Sequence, residues 1–221
     1  MTTVILNEKE VDVPDSWLDV SWSKFMGFSK LAKSQPSEEE LNEKYKDEDE
    51  DIRALQVSLA NIEFNTKIAC YWTGLSEEEI ALCSMPDIEN VMKTMQFLNE
   101  QYHPISLDTF TFKDVKYVLP KPGMKGENFG TYIEAEQIEI NNRKLKKGQL
   151  EILPKQLAIL VREEGQKPGL IDDDDVAKKA KIFEDLDMAT IWDVAFFLFR
   201  QETSLMSNFL TYLQMEETQK Q

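Results

Sequence analysis

The feature that most constrains the fold of this chain is an internal repeat, in which two halves follow one plan. Each half opens with a pair of short strand signals, passes a proline and continues through capped amphipathic helices to a final apolar helix. Pro14 and Pro120 lie 106 residues apart. Four apolar positions of the final helix repeat 103 residues apart, with Met85, Ile88, Val91 and Met95 matching Met188, Ile191, Val194 and Leu198. The proline pair and the helix positions are separated by nearly the same number of residues. This agreement favours a duplication over two unrelated α+β segments.

Helical periodicity dominates and strand signals are few, so the predicted fold class is α+β and predominantly α-helical, with two similar units that each carry a β-hairpin followed by helices. We predict the first unit over 1–104, with an acidic insertion at about 34–51, and the second unit over 105–221. Alternating apolar residues over 3–13 and the pair 109–112 and 116–119 predict the two hairpins.

Capping residues indicate where the helices of the first half begin and end. Ser21 precedes a helical stripe, Ser37 opens a capping box with Glu40, and Ser76 opens a short helix. A long helix with apolar residues at helical spacing runs from 52 to 72 and is expected to stop at Gly74. The acidic stretch 34–51 is predicted to be helix or linker outside the core.

The second half gives similar signals. Thr131 is expected to cap a helix that stops at Gly148, and an apolar helix with a proline in its first turn is predicted over 150–162. Asp172 is expected to cap a further helix, and the longest helix is predicted over 188–215.

The charge of the chain limits its partners. Lys+Arg number 25 against 41 Asp+Glu, a formal net charge of −16. A nucleic-acid surface or an anionic membrane requires a basic face, so neither is expected as a partner. No stretch approaches the eighteen or so apolar residues of a membrane span, and the N-terminal residues lack the pattern of a secretion signal.

The residues that could carry chemistry are few, so no enzyme activity, cofactor or metal is expected. His103 is the one histidine and precedes a proline, and no phosphate-binding or nucleophile-elbow glycine motif is present. Cys70 and Cys83 are read as buried free thiols, with a disulfide as the alternative. The acidic run 172–175 lacks the glycine of a calcium loop, and we predict that it caps a helix.

Aromatic residues crowd the last predicted helix. Ile191, Val194 and Leu198 form one stripe, while Trp192 and Phe196 load other faces. A helix that is apolar nearly all round is either central to its domain or buried against another chain. The predicted interface lies beyond this stripe, at Phe209, Leu210, Tyr212 and Leu213.

Several phrases of the sequence resemble a known group of proteins. The segments 5–17 and 20–25 are similar to the opening of small proteins of tailed-bacteriophage morphogenesis clusters, and 68–80 is similar to a turn common in the same proteins. The segments 117–120 and 130–136 give a second copy of the opening, followed by 153–162. The family that these segments resemble is that of tail-assembly-chaperone-like and virion-associated proteins of crAss-like phages.

This resemblance implies a non-enzymatic virion or tail-region structural protein that acts through protein–protein contacts. The alternative it implies is a tail assembly chaperone, which binds a tail or tape-measure protein transiently and is absent from the mature particle. The implied partners are other phage virion or tail proteins, with a symmetric ring as one arrangement. The implied location is the virion, and the host cytoplasm during assembly.

Overall fold

The computed structural model describes residues 1–121, 128–146, 148–167 and 172–196. The chain divides into two compact units, Met1–Gln101 and Tyr102–Gln221. Within the described residues helices predominate, and each unit contains a small antiparallel sheet. The predicted α+β, mostly helical class is confirmed.

The first unit opens with a two-stranded hairpin of β1 (Thr2–Leu6) and β2 (Lys9–Val13). A two-residue turn joins the strands, and both of its residues have positive φ, 49° at Asn7 and 64° at Glu8. Such a turn matches the right-handed twist of paired strands. The alternating apolar residues all face inward and are buried: Val4, Leu6, Val11 and Val13.

Five α-helices follow in the first unit, with a 3-10 turn at each end of the series. Their bounds, after the turn Trp17–Asp19, are α1 (Trp22–Ala32), α2 (Glu38–Lys44), α3 (Glu50–Thr73), α4 (Glu77–Ala81) and α5 (Met85–Thr94), before the turn Met95–Asn99. The predicted caps are confirmed: the hydroxyl groups of Ser21, Ser37 and Ser76 each accept a hydrogen bond from the backbone N–H three residues on. The acidic insertion therefore contains a helix, which places one residue, Leu41, in the core.

Two glycines shape the packing of α3. The helix ends at Gly74, whose φ of 73° is left-handed, as predicted. Gly27 of α1 lies against Tyr71, and a Cβ at this position would come within 2.3 Å of the Tyr71 hydroxyl oxygen. Because α1 carries no side chain there, the Tyr71 hydroxyl can donate to the backbone oxygen of Lys24 at 2.5 Å. The C-terminal end of α3 is thereby fixed to α1.

The sheet of the second unit has three strands, one more than predicted. β3 (Thr109–Phe112) and β4 (Val115–Val118) form the expected hairpin around a two-residue turn, so β4 starts one residue earlier than expected. β5 (Arg162–Glu163) then pairs with β4. The apolar helix predicted over 150–162 was wrong at its end, because the backbone is already extended at Val161 and the chain continues as a strand.

The helices of the second unit are α6 (Phe129–Lys144), a 3-10 turn (Gln149–Ile152), α7 (Leu153–Leu160) and α8 (Asp173–Phe183), followed by helix over 188–196. Asp172 caps α8, as predicted. The prediction that Thr131 caps α6 was wrong: Asn128 is the cap, and its side-chain oxygen accepts hydrogen bonds from the backbone N–H and the hydroxyl of Thr131. The helix accordingly begins two residues before Thr131.

An aromatic cluster joins the sheet to α8 in the second unit. The rings of Phe110 and Tyr117 stack with centroids 5.2 Å apart, and Phe183 packs edge-on against Tyr117 at 5.1 Å. α7 packs along α8 and is almost wholly buried. The core of this unit therefore lies between its sheet and these two helices.

Candidate interaction surface

Helix α3 presents a row of large apolar side chains to solvent. Ile52, Leu55, Leu59 and Ile62 are exposed by 42%, 71%, 50% and 59%. Their spacing of three, four and three residues places them in one stripe along the helix. We call these four residues the α3 stripe. Single exposed leucines are ordinary on protein surfaces, whereas a contiguous row of four marks an interaction site.

The opposite side of α3 is the one that packs inside the first unit. Val57 and Ala60 are half-buried and Phe64 is buried, and these residues lie roughly half a turn away from the stripe at 100° per residue. Further along the helix Ala69 and Trp72 are fully buried. The N-terminal half of α3 is thus apolar on two sides, although only one of them is covered within its own unit.

Most of the length of the stripe is free of charge, with Arg53 beside Ile52 as the one charged residue within its span. No Asp, Glu, Lys or Arg occurs from Ala54 to Ile62, although 30% of the chain is charged. Acidic residues cluster just before it, over 47–51, where they also complement the positive end of the helix. A charge-free apolar row inside a strongly acidic chain favours an apolar protein partner over a polar ligand.

The interface predicted from the sequence lies elsewhere in the chain. Phe209, Leu210, Tyr212 and Leu213 lie outside the described residues, as do Phe197, Leu198 and Phe199. Ahead of them, Ile191 and Val194 are buried, as expected for a core stripe. The apolar residues of α3 have the helical spacing predicted from the sequence, and this spacing alone does not distinguish a face in the core from a face in solvent. The sequence signal that could have indicated the exposure of the stripe is the second apolar row of α3, at positions 57, 60 and 64. A helix in a small unit rarely buries two opposite sides, so one of the two rows should face solvent.

The two thiols do not form a reactive site. Both cysteines are free and half-buried, and burial raises the pKa of Cys70 and of Cys83, which keeps the thiols protonated at neutral pH. The Cys83 sulfur lies 3.3 Å from the Asn7 side-chain nitrogen, which also donates to the backbone oxygen of Glu79 at 2.8 Å. Cys83 therefore helps to hold the first hairpin turn.

A buried carboxylate anchors the segment that leads into the second unit. Asp193 is 5% exposed and accepts hydrogen bonds from the Tyr102 hydroxyl at 3.0 Å and from the Ile105 backbone N–H at 2.8 Å. Burial, together with the Asp193 hydrogen bond, raises the pKa of Tyr102 to about 12. His103, between these two residues, is exposed and makes no part of this anchor. The arrangement positions backbone rather than a reacting group.

One lysine is unusually covered. The Lys179 ammonium donates to the backbone oxygen of Val161 and lies 5.8 Å from the ring centroids of both Tyr117 and Phe183. Burial lowers its pKa to about 8. The contacts join α8 to the end of α7, so the side chain stabilises the core of the unit.

Neither a metal site nor a membrane-spanning helix occurs among the described residues. Among the described residues, no three His, Cys, Asp or Glu side chains come together as a metal site would require. In the acidic run, the Asp172 side chain accepts from the Asp174 backbone N–H, which is a helix cap. Over the same part of the chain, none of the helices has the length and apolar character needed to cross a bilayer.

Comparison with known proteins adds no relative: the chain matches no protein-family model, no curated protein and no solved structure.

Proposed function

We propose that this protein is a non-enzymatic structural or assembly protein that acts through protein–protein contacts. The observation that carries the proposal is the exposed, apolar α3 stripe. Burial of four Leu and Ile side chains gives association a substantial apolar driving force. The surroundings of Tyr102 and Lys179 support this reading, because both side chains hold other parts of the fold in place: Tyr102 donates to Asp193 and Lys179 donates to the backbone oxygen of Val161.

The resemblance to tailed-phage morphogenesis proteins suggests where a protein with this role would act. We propose a virion or tail-region structural protein whose partners are other virion or tail proteins, located in the virion and, during assembly, in the host cytoplasm. The formal charge of −16 supports protein partners over nucleic acid, since phosphate binding requires clustered Lys and Arg.

A tail assembly chaperone is the second candidate function. An apolar stripe that stays open in a single folded chain would suit a client that binds and leaves, such as a tail or tape-measure protein. The two functions differ in whether the protein remains in the finished particle.

The experiment that tests the proposal is quantitative mass spectrometry of purified phage particles, with copies counted against the major capsid protein. A fixed ratio, in multiples of six or twelve for a ring component, supports the structural role. Absence from particles, with the protein present in the infected-cell lysate, leaves the chaperone. Absence from both rules out a role in assembly.

A matched pair of phage mutants connects the result to the stripe. Leu55→Glu with Leu59→Glu is expected to lower particle yield or incorporation. Leu18→Glu with Leu82→Glu, which changes two leucines that are also exposed in the same unit, is expected to leave both unchanged. Equal effects of the two pairs would show that the stripe has no special role.

A further inference from the structure

We propose that the α3 stripe is covered by a second copy of this chain, with the two α3 helices packed antiparallel about a two-fold axis near residue 57. This inference rests on the proposed protein–protein role of the stripe and names the partner.

The spacing of the stripe fits a helix of its own kind. Positions 52, 55, 59 and 62 are successive a and d positions of a heptad, by which two helices interlock side chains along a shared seam. When one copy is reversed about residue 57, Ile52 faces Ile62 and Leu55 faces Leu59. Each a position then meets a d position, so the row is complementary to itself. A two-fold dimer requires such a self-complementary surface.

The charges permit a second copy at this place. Two chains of net charge −16 repel each other over most of their surfaces. Across residues 54–62 there is no charge to repel, because the flanking positions next to the seam, Gln56 and Ser58, are neutral. The middle of the stripe is therefore a region where a copy of this chain can approach without meeting charge, while Asp51, Arg53 and Glu63 border its two ends.

The same charges select the antiparallel orientation. In a parallel pair, the acidic residues 47–51 of one copy would lie beside those of the other, and such like-charge contacts are unfavourable. Reversal about residue 57 instead brings 47–51 of one copy to the level of 63–67 of the other. That segment holds a single acidic residue, Glu63, which lies level with Asp51 of the other copy. Because α3 begins at Glu50, only Glu50 and Asp51 of each acidic segment lie along the paired helices, and the two acidic segments stand at opposite ends of the pair. The charged residues at the ends of the stripe therefore favour the antiparallel orientation, and burial of the apolar residues in its middle provides the affinity.

The size of the stripe sets the strength expected of the dimer. Four partly exposed Leu and Ile side chains present on the order of 400 Å² of apolar surface, the size of a functional patch. A stable interface buries about 800 Å² on each partner, so the stripe alone supplies about half of that area, and we expect a dimer that dissociates on dilution rather than a permanent one.

Sedimentation velocity of the full-length protein over about 1–100 μM tests the proposal. The wild type is expected to shift from monomer to twice the monomer mass across this range. Leu55→Glu with Leu59→Glu is expected to weaken the dimer at least tenfold, with an unchanged circular dichroism spectrum and melting temperature. The control, Leu18→Glu with Leu82→Glu, carries the same added charge in the same unit and is expected to dimerise like the wild type.

Disulfide cross-linking tests the orientation, in chains that carry Cys70→Ser and Cys83→Ser. Ile52→Cys chains mixed with Ile62→Cys chains are expected to cross-link to each other. Ile52→Cys chains alone are expected not to, because in the antiparallel pair their sulfurs are separated by ten residues, about 15 Å along the helix. Efficient cross-linking of Ile52→Cys to itself would mean a parallel pair and would overturn the proposal.

Three further outcomes would also overturn it. A wild type that stays monomeric at the highest concentration excludes a second copy as the occupant. A monomeric wild type that is destabilised by the paired stripe substitutions would show that the chain covers the stripe itself. A dimer that the stripe substitutions leave intact would place the contact elsewhere. Each result is obtained on purified protein, so failure of the dimer is distinguishable from absence of the protein from phage particles.

Discussion

The two units start from similar local patterns but bury them to different extents. Both have a hairpin with a two-residue turn of positive φ, followed by a buried proline, Pro14 or Pro120. In both units a later helix begins with a methionine, which is Met85 in the first unit and Met188 in the second. Met188 is fully buried, whereas its counterpart Met85 is 71% exposed. An equivalent position in a repeat is therefore not an equivalent environment.

The helix that precedes each methionine differs in length. In the second unit α8 has 11 residues and buries Val176, Ala180 and Phe183, whereas α4 of the first unit has 5 residues and buries Ile80. Among the described residues, α8 thus contributes three buried apolar side chains to its unit, whereas α4 contributes one. The longest helix of the first unit is α3, with 24 residues, and its exposed face forms the stripe. In the first unit, the exposed apolar side chains of the α3 stripe are not covered by the unit's own residues and are available for contact with a partner.

The largest difference between the units is expected at the paired methionines. Met188→Ala should lower the free energy of unfolding by about 2–5 kcal/mol, since it leaves a cavity in a packed core. Met85→Ala should change it by less than about 0.5 kcal/mol, since the side chain is exposed. Urea denaturation followed by circular dichroism measures both. Similar losses would show that Met85 is covered in solution, and would remove the contrast between the two units.

A smaller difference in unfolding free energy is expected when a side chain that hydrogen-bonds to backbone is changed in each unit. Asp193→Ala removes the acceptor of two donors in a part-buried place and should cost about 1–3 kcal/mol. Tyr71→Phe in the first unit removes one hydrogen bond, to the Lys24 carbonyl, and should cost about 0.5–1.5 kcal/mol. Urea denaturation of the two variants measures both costs.

Asp193→Asn is the control for this pair, because the amide oxygen can still accept both hydrogen bonds. It should lose less stability than Asp193→Ala. If Asn and Ala have the same cost, the carboxylate is not held by its two donors, and the anchor seen at Tyr102 is not a source of stability.

Much of this fold is readable from the sequence, because its signals are local. Ser21, Ser37, Ser76 and Asp172 cap helices through hydrogen bonds to neighbouring backbone, which a short pattern specifies. β5 was missed because a two-residue strand has no periodicity, and it exists through pairing with β4 across about forty residues of chain. Asn128 displaced Thr131 as a cap because both residue types suit the position and only the backbone decides between them.

The candidate surface was less predictable for a different reason. The spacing of Ile52, Leu55, Leu59 and Ile62 is the same whether the row faces a core or solvent. Which side of α3 is covered depends on where α1, α2 and the first sheet pack, and these are long-range contacts that spacing does not encode. The sequence therefore predicts the helix and its apolar spacing, but not which side of the helix is exposed.

The hairpin turns should respond alike, which gives a control within the comparison. Glu8 and Asp114 have φ of 64° and 61°, a left-handed conformation that is strained for residues with a Cβ. Glu8→Gly and Asp114→Gly should each raise the free energy of unfolding by up to about 1 kcal/mol. Glycine relieves the strain of a left-handed residue with a Cβ, about 1–2 kcal/mol, and this gain is partly offset by the entropy that glycine adds to the unfolded chain, about 0.5–1 kcal/mol. Urea denaturation measures both. Unequal gains would show that the two turns are not equivalent, although they have the same backbone form.

The smallest expected effect concerns the salt bridges beside these turns. In the first unit Lys9 pairs with Glu79, and the Lys9 hydrogen bond, with the Ser76 backbone and hydroxyl, lowers the pKa of Glu79 to about 2 from an ordinary 4.5. In the second unit Lys113, a turn residue itself, pairs with Asp185 at 2.8 Å. Exposed pairs of this kind contribute little to stability at neutral pH.

The Glu79 pair has a clear sign of pH dependence. Because the pKa is lower in the folded state, the folded chain binds a proton less readily, and the stability from this pair is present above pH 4.5 and lost as the pH falls from 4.5 towards about 2. Lys9→Met should move the Glu79 pKa up towards 4.5, as measured by NMR titration of its carboxyl group. Lys113→Met, the matched change at the other turn, should leave it unchanged. A wild-type Glu79 that titrates near 4.5 would show that the pair does not form in solution, and would leave Asn7 as the contact that fixes the first turn to α4.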